Sequence, residues 1–189
     1  MDSPWLWHIS RASGVVGLVV LTSVFAMGAV LATDRRLPTA AAGWVAGLHR
    51  YLSLGAIVLV TAHVSTAAVD TYVDLGWWSV IVPFTSGYEG VRVGIGTVAL
   101  DLLVLVAATS WLRPRLSHRV WHVVHRAAYI LAAAVAVHAL AMARTDQPAL
   151  LAVGIVCAIT MSLAAVWRLR GYRRDRRSQA MTTAWREWR

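Results

Sequence analysis

The sequence predicts an all-α membrane protein: a polytopic bundle of five transmembrane helices, N-terminus outside and C-terminus in the cytoplasm. Three observations predict it. The 189-residue chain is 58% hydrophobic and only 14% charged, with its apolar residues gathered in long blocks. Five blocks of about 20 residues are each long enough to cross a hydrocarbon core as a helix. The arginines between the blocks are abundant on one side and sparse on the other, which orients the bundle.

The blocks fall at residues 11–32, 45–68, 92–112, 121–142 and 148–168, so that 1–168 form one membrane domain and 169–189 a basic cytoplasmic tail. The first is read as an anchor and not a secretory leader, because MDSPWLWH before it lacks a basic segment and the apolar run is too long. Arg35, Arg36 and Arg50 lie between or at the ends of blocks one and two, Arg113, Arg115 and Arg119 between three and four, and eight more between Arg168 and Arg189. The opposite side carries Arg11, Arg92 and Arg144 together with Asp2, Asp70, Asp74, Glu89 and Asp146. The positive-inside rule then assigns the arginine-rich side to the cytoplasm of a cell (inner or plasma) membrane. Ten tryptophans, many near block ends, suit the headgroup depth, where an apolar ring and a polar N–H are both accommodated.

The net charge of +9 comes entirely from arginine. Its placement on membrane flanks points to anionic lipid and not to nucleic acid. The single Cys157 excludes an internal disulfide or a cysteine-held cluster and reads as a small packing hydrophobe. The long connection from Val69 to Val91, with Trp77, Trp78 and Pro83, reads as a segment lying in the outer interface. The glycines of GYEGVRVGIG (87–96) lack the strand–turn–helix setting of a phosphate loop, and helix packing or loop turning accounts for them.

Histidines in the hydrocarbon carry the functional argument, since each must find partners for its ring nitrogens. Blocks two and four run in the same direction. His49 and His125 lie near their cytoplasmic ends, and His63 and His138 near their outer ends. The separations of 14 and 13 residues correspond to about 21 and 20 Å along a helix. Two parallel helices thus offer two facing pairs in two layers. Imidazole is a usual axial ligand of haem iron, so the pairs suit two six-coordinate haem b groups, with His49, His63, His125 and His138 as iron ligands. At about 100° per residue His49 and His63 share a face, whereas His125 and His138 stand about 140° apart. Either block four is bent or locally irregular, or the helices approach the two sites from different angles.

LHRYLSL (48–54), His63, VPFTSGY (82–88), WHVVHRAAY (121–129) and His138 together resemble the ferric reductase-like transmembrane domain. That family includes NADPH oxidases, eukaryotic ferric reductases and the haem-bearing membrane subunit of the periplasmic methionine sulfoxide reductase system. The resemblance covers residues 8–143. It implies an inner haem on His49 and His125 and an outer one on His63 and His138, and the oxidase branch shows the same spacings of 14 and 13. Oxidases and eukaryotic reductases also carry a flavin and nicotinamide domain and commonly an extra N-terminal helix. Neither is found here, so electrons are expected from a separate donor.

Arg50 and Arg126, each directly after an inner histidine, and Arg11 at the outer start of block one suit the carboxylates of haem propionates. Positive-inside placement explains Arg50 and Arg126 equally well. His122, one turn before His125, is the rival ligand, with an interfacial or supporting role preferred; His118 and His8 read as solvated. Asp101 stands mid-block, where a carboxylate is costly; packing against a local hydroxyl is expected, with proton movement linked to electron transfer as the alternative.

The expectation is a di-haem b-type membrane cytochrome, the electron-transfer subunit of an oxidoreductase. The donor would be a flavoprotein reductase or a quinol, so that any flavin or quinone is supplied by a partner or the membrane. The extracytoplasmic acceptor would be a ferric chelate, oxygen or a partner protein. Two rivals are a metal or proton-coupled transporter, which would gather its ligands at one depth, and a structural subunit without a chromophore.

Overall fold

A computed structural model describes residues 4–32, 38–70, 75–143 and 147–187, the side chains of residue 4 and of 174–187 excepted. Arg35, Arg36, Asp2, Asp74, Arg144, Asp146 and the tail side chains beyond Arg173 lie outside the described residues. Six α-helices follow in order: α1 (Pro4–Leu31), α2 (Thr39–Val69), α3 (Gly90–Trp111), α4 (His118–His125), α5 (Ala128–Met142) and α6 (Pro148–Glu187). With α4 and α5 taken together, five helical stretches are long and apolar enough to cross a membrane. An apolar solvent offers backbone amides no other partners, so these blocks satisfy them within helices.

Local chemistry sets the ends. Prolines stand where their missing N–H costs nothing, at the first position of α1 and α6 and just before α2. The Ser117 side chain caps α4 by accepting from the Val120 amide. Glu89, at φ 44°, turns the chain into α3. Helix α6 runs on past the apolar block to Glu187, so nearly all of the basic tail continues a membrane helix.

Blocks two and four differ in continuity. Helix α2 is unbroken, whereas α4 and α5 are separated by a turn at Arg126–Ala127. The amides of Ala127 and Tyr129 reach back only three residues, to Val124 O (2.8 Å) and Arg126 O (3.1 Å), while Leu131 N bonds Ala127 O (2.9 Å). The chain is locally overwound there. Each residue wound at three per turn adds about 20° to the ideal helical rotation. The overwinding therefore works in the direction that closes the mismatch between His125 and His138. Block four is the locally irregular one.

The packed centre lies where α1, α5 and α6 meet, around Leu18, Ala132, Cys157 and Met161, with Phe25, Val135 and Val153 against them. Cys157 packs there as a small hydrophobe, unpaired. Helix α2 lies lengthwise on α1, and α3 lies on α5; α2 and α5 do not pack closely on each other. Two helix pairs, α1/α2 and α3/α5, thus stand side by side with their histidine-bearing members facing. The chain closes one end with a 3₁₀ turn, Trp77–Val80, packed on α3 and α2. Thr97 Oγ1 donates to Ser79 O there (2.6 Å), and the Phe84 ring, at φ 67°, fills a notch over Gly94. We call this end the loop face and the end carrying Arg113–Arg115 the arginine face. Trp77, Trp78 and Ile81 are exposed on the loop face.

Candidate functional site

Of the four singled-out histidines, His63 and His138 are brought together directly. On the loop face His63 and His138 bring their ring centroids to 6.4 Å. Two imidazoles on opposite sides of one metal ion, each bonded at about 2 Å with roughly 1 Å more from nitrogen to ring centre, stand about 6 Å apart. The spacing fits an ion held between them. On the arginine face His125 lies within electrostatic reach of His49.

The ring orientations follow from what each Nδ1 meets. His63 Nδ1 lies 2.7 Å from Ser10 O, His49 Nδ1 3.0 Å from Val24 O, and His138 Nδ1 2.9 Å from Arg92 O. A carbonyl oxygen can only accept, so Nδ1 carries the proton and donates in all three. That leaves the Nε2 lone pair for a metal, the arrangement by which a backbone carbonyl fixes a metal-binding imidazole.

Helix carbonyls are reachable by a ring from outside only where the side chain one turn onward leaves room, and at all three positions that residue is glycine. A Cβ added to Gly14 would stand 2.8 Å from His63 Nδ1, one on Gly96 2.6 Å from His138 Cε1, and one on Gly28 3.3 Å from His49 Cε1. Each seat is thus a pair four residues apart: Ser10 with Gly14, Val24 with Gly28, Arg92 with Gly96. The two seats on α1 are 14 residues apart, like His49 and His63 on the antiparallel helix facing them.

The same 14-residue step along α3, from Arg92 and Gly96, reaches Val106 and Ser110. Here the seat is filled. His125 meets the Ser110 hydroxyl at 3.4 Å, a long contact, instead of a carbonyl. Its other support is Trp121, stacked on the imidazole with centroids 4.9 Å apart and planes at 22°. Trp121 Nε1 is buried without a hydrogen-bond partner.

The remaining candidates are placed as follows. Arg11, next to the Ser10 seat, bonds Gln147 Oε1 and lies 4.4 Å from the Trp7 ring centroid. Arg50 is exposed and makes no hydrogen bond or ion pair among the described residues. Arg126 occupies the turn after His125, within electrostatic reach of His122. His122 turns away from the pairs: its Nε2 is 3.1 Å from that of His118, and both rings are exposed. Asp101 is also exposed and, against expectation, has no hydroxyl partner among the described residues. Ser10, Gly14, Gly28 and Ser110 carry no motif in the sequence, and Gly96 and Trp121 stand out there only as members of GYEGVRVGIG and WHVVHRAAY. The signal was available in the glycine spacing on α1, which matches that of the histidines on α2.

The donor set is four imidazoles in two layers, each with one ring nitrogen already committed to the protein. Glycines over which the rings seat at three positions, and an orphaned N–H beside the fourth, complete it. These features fit haem. Residues 13–137 match the family described as "Ferric reductase like transmembrane component". No curated protein and no solved structure gives a significant match.

Proposed function

Because the chain belongs to the ferric reductase-like transmembrane family, we propose that it is a di-haem b-type membrane cytochrome that carries single electrons across the bilayer. The observation that carries this reading is the shared orientation of His49, His63 and His138, each donating from Nδ1 to a helix carbonyl over a glycine. His63 and His138 hold one haem, and His49 and His125 the other. Bound haem supplies reversible one-electron transfer at its iron, which the side chains alone do not provide.

The protein's own contribution is placement and insulation. The carbonyl bonds fix each imidazole's tautomer and raise its basicity as a ligand. The seats on α1, 14 residues apart, set the two layers about 21 Å apart along the helix. A transporter would instead gather its ligands at one depth. Arg11 near the loop-face pair, and Arg50 and Arg126 beside the other, provide guanidinium groups matched to propionate carboxylates.

By the positive-inside rule the arginine face is cytoplasmic and α1 begins outside, in the plasma membrane. Electrons then pass from a flavoprotein or quinol donor through His49/His125 to His63/His138, and on to a ferric chelate, oxygen or a partner protein outside. The basic tail 169–189 lies at the cytoplasmic surface.

Proteoliposomes test the activity. With the haem-loaded chain in the bilayer, an impermeant reductant inside and ferricyanide outside, ferricyanide should be reduced at a rate proportional to the chain's content. His138→Ala should reduce that rate to the level of protein-free vesicles. Equal rates with wild type, His138→Ala and empty vesicles would refute transmembrane conduction.

A further inference from the structure

The arginine-face site contains a donor with nothing to donate to. Trp121 lies one turn before His125, and its indole covers that ring. Its Nε1–H is buried and unpaired, an arrangement that is costly unless an acceptor arrives. The neighbours do not supply one. His118 and His122 direct their Nε2 atoms at each other, and His125 Nδ1 is directed at the Ser110 hydroxyl. The charge around the indole is positive: the Arg113 guanidinium lies 4.5 Å from its centroid, and Arg126 follows His125 directly. A buried N–H in a cationic setting selects an anionic oxygen. Trp121 is also nearer the arginine face than the iron ligand it covers, on the side to which haem carboxylates point.

Resting on the di-haem reading above, we infer that Trp121 Nε1–H, with Arg113 as counter-charge, holds a propionate carboxylate of the haem on His49 and His125. It thereby sets that haem's potential apart from the other's. This pair lacks the fourth glycine seat, and Trp121 replaces it with a stack on the imidazole and a bond to the ligand's edge. The N–H offsets part of the carboxylate charge. Without it more negative charge bears on the iron and favours the ferric form.

The test compares wild type with Trp121→Phe, which keeps an aromatic ring over His125 and removes the N–H, by potentiometric titration of the full chain with haem counted per polypeptide. Trp121→Phe should retain both haems. At fixed ambient potential the ferrous-to-ferric ratio of the His49/His125 haem should fall by up to about tenfold, equivalent to about 59 mV for one electron. The His63/His138 haem should not move. Reconstitution with haem dimethyl ester, which carries no ionised carboxylates, should raise the ferrous-to-ferric ratio at this pair in both proteins and abolish the difference between them. An unchanged potential in Trp121→Phe would overturn the inference, as would a shift that persists in full with the dimethyl ester. If Trp121→Phe loses the haem at this pair, wild type should also hold the dimethyl ester poorly there; full uptake would overturn the inference. Wild type free of haem would instead overturn the di-haem reading itself.

Discussion

The two histidine pairs are built from the same plan but finished differently. On the loop face both His63 and His138 rest on helix carbonyls, with glycines Gly14 and Gly96 leaving them room. On the arginine face only His49 does so. His125 meets a serine hydroxyl at 3.4 Å and leans on a tryptophan. A carbonyl in a helix cannot move without moving the helix, whereas a hydroxyl rotates. The loop-face histidines are therefore held by backbone, and one arginine-face histidine by side chains. The comparison sets a backbone-held histidine pair at one end of the bundle against one partly held by side chains at the other, with His125 directly before the overwound turn at Arg126–Ala127.

The largest expected effect comes from removing a ligand. His63→Ala or His138→Ala should abolish one haem's absorbance and leave the other, and His49→Ala or His125→Ala should do the converse. Haem content unchanged in all four would show that the pairs are not the ligands. Next come the glycine seats, where the backbone-held face should be the less forgiving. Gly96→Val and Gly14→Val each place atoms where a Cβ alone already stands within 2.8 Å of the imidazole. Both should deplete the loop-face haem nearly as fully as a histidine substitution, as read in low-temperature difference spectra.

Gly28→Ala, whose Cβ would stand 3.3 Å from His49 Cε1, requires a shift of only a few tenths of an ångström. It should retain both haems and displace only the arginine-face potential. Equal damage from Gly28→Ala and Gly14→Ala would remove the distinction between the two ends. Smallest of all should be Ser110→Ala. It removes a long hydrogen bond, worth about 0.5–1.5 kcal/mol when well made, and should leave haem content intact with a slight change in the His125-linked low-spin EPR signal. A large loss of haem would mean that the hydroxyl, and not the Trp121 stack, is the main support of His125.

The sequence made some of this architecture legible and hid the rest for physical reasons. Hydropathy is local, so the five apolar helices could be read block by block. The histidine pairs could be read too, because helix direction and spacing place His49 with His125 and His63 with His138. The turn at Arg126–Ala127 could not. HRAAY contains no proline or glycine to mark a break, and only the mismatch in angle between His125 and His138 hinted at one. The glycine seats were visible as letters but not as a site. Gly43, Gly47 and Gly55 lie in the same protein with nothing within 4 Å of an added Cβ, and Gly17 meets only Leu59 and Val60. What separates Gly14 and Gly28 from these is a ring on another helix, which is tertiary information. Asp101 was misjudged for a similar reason: its lack of a hydroxyl neighbour depends on which face of α3 the other helices cover.

The most direct test of the central claim is a dithionite-reduced-minus-oxidised spectrum of the purified chain, with haem quantified per polypeptide. The account predicts a sharp low-spin b-type signal at two haems per chain, falling to one in His138→Ala and in His49→Ala and to none when both are replaced. A colourless chain from haem-replete cells would contradict it, as would a single haem lost with either substitution.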